Sequence, residues 1–218
     1  LDWNALNGRF TGAFDVYNRT TYDMIGPAPE LSSLLGTGVP QVNNADMESY
    51  GWELEVNWRD VIQDFSYGVK LVMSDDRQRI LRYPNDSYNL SNWYAGRMNG
   101  EIWGSTTEGI AKSNEEMVAH LENNRPSWGS SWAAGDVMYK DLNGDGVVNS
   151  GAYTLDDHGD LTIIGNSIPR YKFGITLDAG WRGFDFRMFL QGVAKRDYVL
   201  GGAYFWGADA GGMWQSAG

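Results

Sequence analysis

Apolar and polar side chains alternate with a period of two over several long stretches, the pattern of β-strands with two unlike faces. It is clearest where Trp52, Leu54, Val56 and Trp58 fall on one side and Glu53, Glu55, Asn57 and Arg59 on the other. After a tight connection around Asp60 to Gln63 the period resumes. Phe65, Tyr67, Val69, Leu71 and Met73 then oppose Ser66, Gly68, Lys70, Val72 and Ser74, which predicts a long antiparallel hairpin. A second hairpin is expected from Arg170, with Tyr171, Phe173, Ile175, Leu177 and Ala179 opposite Lys172, Gly174, Thr176 and Asp178. It turns at Trp181-Arg182-Gly183 into Phe184, Phe186, Met188 and Leu190, alternating with Asp185, Arg187, Phe189 and Gln191. An earlier strand runs from about Asn7 to Met24, with Phe10, Phe14 and Val16 opposite Arg9, Thr11, Asp15 and Tyr17. Its length exceeds the usual strand of about five or six residues. Residues 26–46 carry Gly, Pro and Ser with little periodicity and read as a loop, as does the Gly- and aromatic-rich chain after Gly192.

Between the hairpins, residues 75–169 lose the period, although Arg77, Arg79 and Arg82 continue the strand outward. A connection of about ninety residues exceeds ordinary loops and must be a folded excursion. Asn114 to Leu121 is expected as a short helix, with Ser113 as cap and Glu116 completing a capping box. Asp136 to Lys140 and Leu161 to Gly165 are short and strand-like. Brief turns on one side and long loops on the other are the arrangement of an outer-membrane β-barrel. A soluble β-sandwich with one wet face explains the alternation equally well. Strand length and loop asymmetry favour an all-β, antiparallel transmembrane β-barrel segment, with Trp52, Trp58, Tyr171 and Trp181 placed as girdle aromatics.

Candidate chemistry concentrates in Asp141-Leu142-Asn143-Gly144-Asp145-Gly146-Val147-Val148-Asn149. Oxygen donors at Asp141, Asn143 and Asp145, with a turn-forming Gly146 at the sixth position, match the first half of an EF-type calcium loop. Val147 would contribute its carbonyl and Asn149 a direct or water-bridged contact. The twelfth position falls on Ala152, which cannot ligate, so the closing carboxylate must come from Asp156, Asp157 or Asp160. The same residue types also favour turns that hold no ion. Calcium here would pin the excursion at 141–160 into shape; the flanks lack the paired amphipathic helices of a sensor.

Composition narrows the function classes. Asp and Glu total 28 against 17 Lys and Arg, a net charge of -11. With no basic stripe, a nucleic-acid partner is disfavoured. The absence of cysteine excludes disulfides and thiolate chemistry. No apolar run of about eighteen residues exists for a membrane helix, although barrel strands escape that criterion. Leu1-Asp2-Trp3-Asn4 carries no secretory signal, and residues 211–218 show no terminating element, so a segment of a longer protein is expected. Trp93, Tyr94, Trp103, Trp128 and Trp132 are candidate contacts for sugar rings, peptide side chains or a protein partner, and each could equally pack the excursion itself. Catalysis is not expected. Asp75-Asp76 and Glu115-Glu116 are sequence neighbours that diverge on an extended chain. His120 and His158 stand alone, and no nucleophile elbow or zinc motif occurs.

Several blocks in order resemble the SusC/RagA group of TonB-linked outer-membrane transporters of Bacteroidetes. They are residues 17–24 (Tyr17 to Met24), Gly51 to Asp60, Gly100 to Gly104, Gly135 to Gly146, Ile163 to Tyr171, Gly183 to Asp185 and Phe189 to Val193. The resemblance implies part of a 22-stranded barrel located in the outer membrane and contacting its lipid. It also implies a plug and TonB-binding segment outside this chain, and a SusD-like surface lipoprotein as partner. The implied function is import of oligosaccharides or peptides; the alternative is a calcium-stabilised surface β-sheet ligand-binding module without transport. The resemblance further implies Asp160 as the twelfth-position carboxylate, with Ser150 to Gly159 inserted into the loop.

Overall fold

The computed structural model describes residues 1–27, 41–129 and 131–200. Parts of the expected loops at 26–46 and beyond Gly192, and the terminal stretch 211–218, lie outside the described residues; of the described parts, 42–46 and 193–195 are strand and not loop, because their backbone pairs with neighbouring strands despite the weak alternation. Six antiparallel strands form the main sheet, in the order β1-β2-β3-β4-β11-β12. They are β1 (Asp2–Ala5), β2 (Phe10–Gly26), β3 (Val42–Ile62), β4 (Phe65–Arg82), β11 (Arg170–Trp181) and β12 (Phe184–Lys195). The excursion between β4 and β11 contributes β5 (Glu101–Ser105), β6 (Thr107–Ile110), α1 (Asn114–Leu121), β7 (Arg125–Pro126), β8 (Val137–Tyr139), β9 (Val147–Val148) and β10 (Leu161–Asn166). These pair as three small two-stranded sheets, β5 with β10, β6 with β8 and β7 with β9.

Alternation sets the register of the main sheet. Ala5, Phe10, Trp58, Val69, Leu177 and Met188 form one cross-strand row. The next row on the opposite face holds Thr11, Asn57, Lys70, Thr176 and Phe189. A slip of one residue would exchange these faces, so the pattern fixes the pairing. Phe14, Val69, Phe186 and Leu190 on the apolar face remain exposed. The short turns among the described residues lie at one end. Gln63 and Asp64 link Ile62 to its partner Phe65, and Arg182 (φ 46) with Gly183 (φ 88) links Trp181 to Phe184.

Two expectations are corrected here. Among the described residues the sheet is open: β1 and β12 each pair on one side only, and no closed barrel of 22 strands is formed. Closure requires the outer strands to find partners, and alternation within a strand encodes its faces without encoding that partner. The placement as a multi-pass β-barrel of the cell outer membrane falls with it, because an open edge presents backbone groups that hydrocarbon leaves unsatisfied. No described helix is long and apolar enough to cross a membrane, which says nothing about strands.

At the other end of the sheet, ion pairs tie the strands where the excursion departs. Arg82 of β4 donates to Asp46 of β3 at 2.7 and 2.9 Å and to Asp23 of β2 at 2.8 Å. Glu48 accepts from Asn18 at 2.9 Å and Arg79 at 2.6 Å. The Arg170 guanidinium grips both oxygens of Asp75, a bidentate pair joining β11 to β4. Lys172 reaches Asp76 at 2.6 Å. Although 87 residues separate Arg82 from Arg170 (83–169), β4 and β11 are therefore direct neighbours, and the excursion rises from one fixed base.

Candidate functional site

The Asp141–Asp160 segment is built from side chains turned back on their own backbone. Asp141 accepts from Gly144 N at 2.7 Å and Gly146 N at 2.7 Å. Those two N–H groups, in that order, hold its carboxyl below the usual carboxylate range. Asn143 Oδ1 accepts from Asp145 N at 2.9 Å, and Asp145 Oδ1 from Val147 N at 2.7 Å. Gly144 and Gly146, with φ of 82 and 83, take the left-handed turns that β-carbons would oppose. Asn149 donates from Nδ2 to the Val147 carbonyl at 3.0 Å and accepts from Gly151 N at 2.7 Å.

Asp160 closes the segment. It is completely buried, and it accepts from Leu142 N at 2.7 Å, Asn143 N at 3.3 Å and Asn149 N at 2.7 Å. The other two carboxylates are placed differently. Asp156 is exposed, and Asp157 closes the inserted turn by accepting from Ala152 N at 3.1 Å. The insertion also packs back on the start of the excursion. Leu155 N donates to Tyr88 O at 2.9 Å and Leu90 N to Tyr153 O at 3.1 Å.

Val148 is fully buried, and β9 pairs in parallel with β7 just after α1. The helix itself has the expected limits. Ser113 Oγ accepts from Glu116 N at 3.2 Å, whereas the Glu116 carboxylate takes the N–H of Lys112, one residue before the cap, at 2.6 Å. Among the described residues no three His, Cys, Asp or Glu side chains gather as a metal cluster. The donors on offer here are instead a mixed set of carboxylate, amide and backbone oxygens.

The five candidate aromatics divide by contact. Tyr94 is buried with Leu90 and Leu161, and Trp103 packs against that cluster. The Tyr94 hydroxyl donates to Glu101 at 2.7 Å, and burial followed by that bond pushes its pKa up to about 12. Trp103 lies 5.5 Å from the His158 ring. Trp93 meets Tyr83 edge-on at 5.5 Å. Trp128 and Trp132 both stand edge-on to Tyr139, at 5.2 and 5.9 Å, and Trp128 remains 40% exposed. Trp128 and Trp132 thus form a surface pair, while Tyr94 and Trp103 serve the excursion's small core. His120 is fixed by a 2.7 Å hydrogen bond to the Tyr139 carbonyl.

Sequence reasoning missed the Asp75–Arg170 pair. A signal was present, since Asp75 continues the series Phe65, Tyr67, Val69, Leu71, Met73 at a position where apolar residues otherwise stand. Strands β5 and β6 were missed as well, both being short and partnered only by distant segments.

No family model matches the chain. Over 206 residues, 91% of its length, it is 23% identical to the TonB-dependent receptor SusC of Bacteroides thetaiotaomicron, of which it covers 19%. Its fold is similar to the RagAB peptide transporter, with TM-score 0.55 and 18% identity over 87% of this chain and 20% of that one. The RagAB peptide importer in its open-open state gives TM-score 0.57 and 21% identity, over 85% of this chain and 19% of the other. The chain therefore spans about a fifth of the length of the proteins it matches. These are named as a receptor and transporters, and the chain groups with non-enzymatic proteins. Distant homology links it to the SusC/RagA family of TonB-dependent transporters.

Proposed function

We propose that the chain is a calcium-stabilised surface β-module that captures oligosaccharide or peptide ligands, the recognition portion of an uptake protein akin to SusC and RagA. The carrying observation is the extent of the similarity: a match over 91% of the chain has to include most of the excursion as well as the sheet. In this reading the six-stranded sheet is the base, and the excursion presents ligand-contacting groups from its ion-paired end. A SusD-like surface lipoprotein would share the ligand, and TonB would energise uptake through other parts of such a protein.

The donor set at Asp141, Asn143, Asp145, the Val147 carbonyl, Asn149 and Asp160 fits a hard, oxygen-seeking cation. Each carboxylate oxygen that receives one N–H retains a lone pair. Calcium there would hold the loop's shape and would not take part in chemistry. The exposed Trp128 with Trp132 offers ring faces and edges to a sugar or an apolar peptide side chain.

Retention of the full-length protein on dextrin and on mixed-peptide resins tests the reading. Specific retention on one of them is expected, with Trp128→Ala or Trp132→Ala weakening it roughly fivefold, about 1 kcal/mol. Failure to retain either ligand class would dismiss ligand capture, and retention unchanged in both variants would move the contact away from these rings.

A further inference from the structure

Where the excursion meets the sheet, a cavity of about 480 Å³ opens between β4, β10 and the end of β12. That lies within the range of small-ligand sites, roughly 300–1,000 Å³. Met98, Ile163 and Ile168 give it an aliphatic side, and among the described residues no aromatic ring lines it. Ile164 is skipped by the β5–β10 pairing, a bulge that re-aims the strand beside the cavity.

The charges in the lining are unequally engaged. Asp76 is paired with Lys172 at 2.6 Å. Glu101 accepts from Met98 N at 2.7 Å and the Tyr94 hydroxyl at 2.7 Å. Asp197 accepts from Asn166 N at 2.8 Å. Arg170 is held by Asp75. Two cations in the lining, Arg77 and Lys195, make no ion pair among the described residues. They flank the Asp75–Arg170 pair: Arg77 follows Asp75 by two positions on β4, and Lys195 is the cross-strand partner of Arg170 on β12. Gln78 accepts from Asn99 at 2.7 Å through its oxygen, which leaves its amide N–H groups for a further acceptor.

The geometry points to a site for the carboxyl end of a short peptide with an aliphatic last residue. The terminal carboxylate sits between Arg77 and Lys195, and the last side chain lies on Met98, Ile163 and Ile168. Two positive groups with fixed neighbours favour an anion, and aliphatic walls without a ring favour a branched side chain over a sugar face. The inference rests on the ligand-capture reading above and selects peptides within it.

Calorimetric titration of the full-length protein with alanyl-leucine, alanyl-leucine amide and a simple alkyl glucuronide tests it. The free acid binds at least tenfold more tightly than the amide, and the glucuronide does not compete. Arg77→Ala and Lys195→Gln each weaken the acid about tenfold and bring acid and amide together, while Lys70→Ala, whose lysine pairs with Glu55 on the sheet, changes nothing. Unfolding midpoints of the variants within error of the parent show that folding is retained; Lys195→Gln, at the exposed end of β12, serves if Arg77→Ala fails to fold. Equal affinity for acid and amide, or a glucuronide that competes as well as the peptide acid, overturns the assignment. If resin retention through Trp128 and Trp132 persists in that case, the cavity assignment alone is lost; absence of all peptide and glycan binding removes both.

Discussion

Asp75 occupies a position in β4 where every second residue before it is apolar, and Arg170, 95 positions further on, accounts for it. The guanidinium hydrogen bonds hold the Asp75 carboxyl below the usual carboxylate range, with help from Tyr171 N and the charge of Arg77. Asp75 is only 6% exposed, and Arg170 is partly buried beside it. A depressed folded pKa stabilises the fold fully above the unfolded value of about 3.9, and the contribution disappears as pH falls through the lower folded value. Asp75→Asn should therefore cost about 3 kcal/mol at neutral pH, the lower end for a broken buried pair because the amide retains one acceptor. The gap from the parent should shrink below about pH 4. Urea midpoints at pH 7 and pH 3 measure this, and a gap of equal size at both would mean that the charge of Asp75 contributes nothing. Arg170 could not be assigned from sequence, because any of several cations was free to meet that carboxylate.

The strands were far more legible than the contacts between them. Alternation located β3, β4, β11 and β12 because each has one apolar and one polar face, but it missed that β3 starts at Val42 and that β12 runs past Gly192 to Lys195; α1 announced itself through Ser113 and Glu116. β5 and β10 were harder, since their register depends on residues about sixty positions apart and contains a bulge. The turns at 141–149 were readable because their hydrogen bonds are local, Gly146 N donating to Asp141 and Asp145 N to Asn143. Turn chemistry at the β11–β12 hairpin can be tested directly. Arg182 and Gly183 both take positive φ, the two-residue turn whose twist matches the strands. Gly183→Ala should cost about 1–2 kcal/mol, the penalty of a β-carbon in the left-handed region. Nothing lies within 4 Å of the position a β-carbon would take, so sterics from neighbours add no further cost. Reversible denaturation gives the value, and an unchanged midpoint would show that the hairpin relaxes into another turn.

At the scale of the whole molecule, the long strands and the excursion are held together by different means. The sheet rests on paired strands of up to 21 residues, the length of β3, and on the ion pairs at its loop end. The excursion has a small apolar cluster around Leu90, Tyr94 and Leu161, separately buried Ala111, Met117 and Val148, and the segment closed by Asp160. Alternation revealed the faces of the sheet but not where it ends, which is why closure was inferred and not found. The proposed calcium would act on this weaker part. Val147 and Val148 pair with Arg125 and Pro126 just beyond α1, and Asp160 leads directly into Leu161 of β10. Binding to the folded state alone adds RT ln(1 + [L]/Kd), about 2.7 kcal/mol at a hundredfold excess over Kd. Chelation should therefore raise amide exchange in β7, β9 and β10, and expose 139–161 to protease, while β3 and β4 keep their protection. Asp160→Ala should give the same exchange pattern without chelator, since it strands three N–H groups at roughly 1–3 kcal/mol each. Exchange indifferent to chelation would exclude the ion, and loss of protection spread equally over β3 and β4 would show that the excursion and sheet unfold as one unit.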